Sequence, residues 1–114
     1  GGVTVHTLSG FVIRCELRPE VSQYQSDGSL VYSFVVISPD GEVMARGVEI
    51  SASVQDAARR EVGPHFSDDS RLWYMIALDA LACELDLPAN LPEGDLLTVS
   101  HLALSQLELA RGWR

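Results

Sequence analysis

The chain has 114 residues, 46% hydrophobic and 21% charged, with a net charge of −8 and a pI near 4.6. That size and composition predict a single domain, residues 1–114, with a core of its own, and exclude a disordered chain. All eight cations are Arg and only Arg59-Arg60 are adjacent, which disfavours direct nucleic-acid or anionic-membrane binding; Asp79 interrupts the one apolar run that approaches membrane-spanning length.

The start, Gly1-Gly2-Val3-Thr4, carries neither a basic segment nor an apolar stretch, so it reads as an expression remnant without a signal peptide. Lys is absent and Asn occurs once, at Asn90, a bias expected of a GC-rich, bacterial genome. Cys15 and Cys83 stand far apart, which suits buried free thiols in a reducing cytoplasm better than a disulfide framework. The carboxylates are spread along the chain, so the acidity reads as solubility and not as mimicry of a nucleic-acid backbone.

From Val3 to Arg18 apolar and polar residues alternate, predicting one long strand with a bulge at Ser9-Gly10. Pro19 to Ser29 reads as a surface loop. Leu30–Ser38 is a second strand, with Tyr32, Phe34 and Val36 on one face and Val31, Val35 and Ile37 on the other. Ser38-Pro39-Asp40-Gly41 supplies turn chemistry, and Glu42–Ser51 returns as the third strand of a meander.

Ser53 with Asp56 resembles a capping box, opening a short helix that carries a Val54, Ala57, Ala58, Val62 stripe and turns Arg59, Arg60 and Glu61 to water. Gly63-Pro64 stops it. Ser67-Asp68-Asp69-Ser70 opens a longer helix, apolar around most of its circumference, with Arg71, Asp79 and Asp86 confined to one wedge. Pro88, Asn90, Pro92 and Gly94 mark a loop. Asp95–Arg111 projects as one amphipathic helix, with a short strand over Leu96–Val99 feeding a shorter helix as the alternative.

The expected architecture is therefore α+β: a three-stranded antiparallel meander followed by a short helix and two longer helices packed on one face.

Candidate chemistry is sparse. His65 with Asp68 and Asp69 has the donors for a metal, but those carboxylates also suit a helix start, so no metal or cofactor is expected. His6 and His101 lack a nearby nucleophile with an orienting third group. An enzyme or ligand-binding role would draw on Tyr24, Asp27, His65 and His101 around a cleft at the sheet edge; the balance of residues is against catalysis.

Four segments, Ser26-Asp27-Gly28-Ser29, Val35 to Val43, Ala77 to Leu81 and Leu97-Thr98-Val99-Ser100, are loosely similar in running order to ribonuclease H-like domains. That resemblance implies metal-binding carboxylates in the first strand, the first helix and the fourth strand. Asp27 would stand in the first position; the helix position has no Glu and Val99 occupies the strand position. A member of this kind would be degenerate, associated with nucleic acid but without metal-dependent hydrolysis.

The leading expectation comes from the meander itself. Helices can shield only one of its faces, leaving Val12, Val31, Val35, Ile37, Val43 and Ala45 on the other. Monomers rarely leave several hundred Å² of contiguous apolar surface open. A homodimer or another protein partner should cover it, making the chain a self-associating, non-catalytic interaction or regulatory module.

Overall fold

A turn at Thr7–Gly10 divides the first extended segment into two strands, β1 (Gly2–His6) and β2 (Val12–Glu16), paired antiparallel with Val5 opposite Ile13. The computed structural model describes residues 2–16, 23–24, 26–62, 70–86 and 96–112. The predicted bulge is thus a hairpin turn. The Gly10 amide donates to the Thr7 carbonyl at 3.1 Å, and the Thr7 hydroxyl accepts from the Phe11 amide at 3.0 Å. Gly10 takes φ +94°, which only glycine adopts without strain, and a Cβ there would lie 3.3 Å from Pro39 Cγ. Alternation alone cannot separate a bulged strand from a tight hairpin, because side chains alternate in both.

Strand β4 (Leu30–Ile37) is the centre of the sheet. Along one edge it pairs antiparallel with β2, Arg14 opposite Val35, and further on with β3 (Gln23–Tyr24), Gln23 opposite Val31. Along the other it pairs over its full length with β5 (Val43–Ile50), from Leu30 opposite Ile50 to Ile37 opposite Val43. The β4–β5 turn forms as predicted. Gly41 adopts φ +89°, the Ser38 amide donates to the Glu42 carbonyl at 2.8 Å, and the Ser38 hydroxyl donates to Asp40 Oδ1 at 3.1 Å.

Helix α1 (Ala52–Val62) follows β5 directly. Ser51 caps it, not Ser53: the Val54 amide donates to the Ser51 hydroxyl at 3.3 Å and the Gln55 amide to the Ser51 carbonyl at 3.1 Å. Asp56 pairs instead with Arg59 at 3.1 Å, and the Arg59 guanidinium lies 5.5 Å from the centroid of the Trp73 ring. Arg59 is therefore a bridge between helices and not a purely solvated residue. Helix α2 (Ser70–Leu85) matches the expected central helix. The proposed helix start at Ser67–Asp69, the Gly63-Pro64 stop, the loop around Pro88 to Gly94 and the terminal Trp113 lie outside the described residues.

The single long C-terminal helix is replaced by its alternative: strand β6 (Leu96–Val99) and the eight-residue helix α3 (Leu104–Arg111). β6 runs parallel to β5, Gly47 opposite Leu96 and Ile50 opposite Val99, so α1 and α2 form the crossover of a parallel pair. The result is a mixed sheet in the order β1-β2-β4-β5-β6, with β3 also on β4, and not a three-stranded meander; the α+β class and three helices stand as expected. A 3.6-residue period gathers Leu96, Val99 and Leu102 on one helix face, although residues 96–99 form a strand.

The helix-facing side carries the core: Ile13 and Cys15 from β2, Tyr32, Phe34 and Val36 from β4, and Val48 and Ile50 from β5 are buried in one cluster with Leu72, Ile76 and Leu81 of α2. The Tyr74 ring lies 5.0 Å from Phe34 and meets Tyr32 edge-on at 5.6 Å. Each such apolar side chain removed from water contributes roughly 1.5–3 kcal/mol.

Buried polar side chains tie the layers together. Gln55 Nε2 donates to the carbonyls of Gly28 at 2.9 Å and Ile50 at 3.2 Å. Asp79, on the polar wedge of α2, accepts from the Ser105 hydroxyl at 2.8 Å and from Gln106 Nε2 at 3.2 Å, while Gln106 Oε1 accepts the Ala103 amide at 3.0 Å. Replacing Asp79 with Ala leaves the buried Gln106 amide without this acceptor. The expected loss is about 1–3 kcal/mol, seen as a lower urea midpoint, with Asp79→Asn losing less.

Candidate interaction surface

Alternation along each strand assigns the side of the sheet away from the helices, and the registers arrange it in rows. His6, Val12, Ile37 and Val43 lie across one row; Thr4, Arg14, Val35 and Ala45 across the next. Ser33, Gly47 and Leu96 form the third, and Val31, Glu49 and Thr98 the fourth. Five of the six residues predicted for this face form one contiguous apolar patch. Val35 is 37% exposed and Val43 65%; Ala45 is exposed, and Val12 and Ile37 are half-buried. Val31 differs: it is 7% exposed and belongs to no part of the main core cluster. Leu96, 48% exposed, extends the patch onto β6. Sequence reasoning missed it because the segment projected equally well as a helix; a strand assignment for residues 96–99 was the signal that would have found it.

At the β5–β6 boundary Ser33, Met44, Ala45, Arg46, Gly47 and Leu96 line a shallow cleft of about 570 Å³. Its walls come from both sides of β5, since Met44 and Arg46 point toward the helices and Ala45 and Gly47 toward the open face.

The other candidates do not gather. Tyr24 lies in β3 opposite Leu30, and His65 is outside the described residues. Asp27 sits in the turn before β4 and not in a strand. Its carboxylate accepts the Ser29 amide at 3.0 Å, and bonds from the Ser29 amide and hydroxyl hold it below the usual carboxylate range. His101 is exposed, with the hydroxyl of neighbouring Ser100 at 3.5 Å from Nδ1. Among the described residues no group of three or more His, Cys, Asp or Glu could hold a metal.

Both cysteines are free: Cys15 buried, Cys83 exposed on α2, contrary to the expectation of two buried thiols. Burial raises the Cys15 thiol despite a bond from Tyr74 that opposes it. Burial, then the charges of Asp79 and Asp86, raise Cys83. Both remain protonated near neutrality, which makes them poor nucleophiles.

Asp86, placed by the sequence in one wedge with Arg71 and Asp79, grips the β1–β2 turn. Its Oδ1 accepts the Ser9 amide at 2.9 Å and the Ser9 hydroxyl at 2.8 Å. No family model, curated protein or solved structure matches the chain. Among the described residues no helix is long and apolar enough to cross a membrane.

The Ser9 bonds hold the Asp86 carboxyl below its ordinary range, with burial opposing. A depressed folded value means the contribution is complete above the unfolded carboxylate pKa near ~3.9 and is lost as pH falls through the folded value. Amide exchange at Ser9 should accelerate over that acid window in the native chain, and Asp86→Asn should remove the dependence.

Proposed function

We propose that the chain is a non-catalytic protein-interaction module that self-associates through the open face of its sheet. The observation carrying this reading is the apolar patch of Val12, Val35, Ile37, Val43, Ala45 and Leu96 on the side of the sheet away from the helices. Burying such a patch against a matching surface is favourable at roughly 25 cal/mol per Å² before the costs of association are counted. A two-fold dimer buries the same patch twice and needs no second gene product. The two free thiols suit a reducing cytoplasm, where a pair of unlinked cysteines is normal.

Sedimentation equilibrium at low micromolar concentration should give a dimer. Val35→Asp places a carboxylate mid-patch on a side chain already partly in water, so the variant should be monomeric with an unchanged circular dichroism spectrum. A native chain that sediments as a monomer under these conditions ends the reading.

A further inference from the structure

Two described side chains of opposite charge lie on the open face, Arg14 and Glu49. The chain carries −8, yet the described charged side chains on this face are one Arg and one Glu, Arg14 on β2 and Glu49 on β5. Arg14 is exposed and Glu49 half-buried, and neither makes an ion pair or hydrogen bond among the described residues. They cannot satisfy each other within one chain. Two strand spacings, about 10 Å, separate them across the sheet, and four residues, about 13 Å, along it.

We infer that the face is occupied by a second copy related by a two-fold axis lying in the plane of the sheet, with Arg14 of each copy opposite Glu49 of the other. This rests on the self-association reading above and specifies its geometry. On the grid of the registers the midpoint between Arg14 and Glu49 is Ser33, and the axis that exchanges them passes through Ser33 and close to Ala45. The same operation lays Val35 over Gly47, and Ile37 and Val43 over Leu96. The ionic register thus brings these apolar side chains to within about one strand spacing of each other. Small side chains at Ser33, Ala45 and Gly47 line the axis, where two sheets approach most closely. The strands of the two copies cross nearer to a right angle than to parallel, the orthogonal class of sheet packing.

Charge reversal separates this geometry from general association. Arg14→Glu, Glu49→Arg and the double variant are compared with the native chain by sedimentation equilibrium at low salt, each checked for a native circular dichroism spectrum. Each single reversal should weaken the dimer about tenfold or more, and the double reversal should restore it to within about threefold. Glu49→Arg is decisive, because it lowers the net negative charge and so should tighten a dimer limited only by overall repulsion. A native dimer indifferent to the single reversals, or a double variant no better than either, overturns this arrangement and leaves self-association standing. A monomeric native chain, as a different covering partner would give, removes both.

Discussion

The structure depends on burying α2. Its residues Leu72, Trp73, Ile76, Ala77, Leu81 and Leu85 are apolar on most sides, so the helix must be covered everywhere but on the exposed wedge of Arg71, Met75 and Cys83. The sheet covers one side, where Tyr74 packs against Phe34 and Tyr32; Val54 and Ala58 of α1 and Ala110 of α3 join the same cluster. Every other element is placed by that demand. Strands β4 and β5 must turn Tyr32, Phe34, Val36, Val48 and Ile50 toward α2, and strict alternation then sends Val35, Ile37, Val43 and Ala45 the opposite way. The greasy outer face is the geometric complement of the core.

Packing against α2 is non-directional, and orientation comes from polar ties at its margins. Asp79 fixes α3, Asp86 fixes the β1–β2 turn, and the Arg59 guanidinium over Trp73 fixes α1. Glu61 and Arg111 join α1 to α3 at 2.8 Å, a bond that with Glu61's charge raises the Arg111 guanidinium further. This last pair is exposed and adds little stability; its effect is on which way the short helix points. Gln55 and Gln106 matter more, because each brings a buried amide whose bonds exist in only one arrangement of the layers.

Local patterns in the sequence made the β4–β5 hairpin, α1 and α2 legible. Pro39-Asp40-Gly41 leaves the chain few alternatives to a turn, and the near-continuous apolar surface of α2 has no other burial solution. The division of β1 from β2 was not legible, since it turns on a single residue, Gly10, close to Pro39 of a distant turn. Nor was β6, whose strand state is fixed by hydrogen bonds to β5 that no local period encodes. The open face was readable from alternation, apart from Leu96, which required β6, and Val31, whose burial arises outside the main core. The polar ties were invisible, because an Asp on a helix wedge looks the same in sequence whether it meets water or Ser105.

The parallel pairing of β5 with β6 joins segments about fifty residues apart, the most distant strand partners in the sheet. During synthesis β5 leaves the ribosome early, and among the described residues its far edge has no strand partner until Leu96–Val99 follow. Until then the nascent protein presents an unprotected row of amide and carbonyl groups beside an already greasy surface, and its vulnerability to mispairing with neighbouring chains is concentrated in that interval.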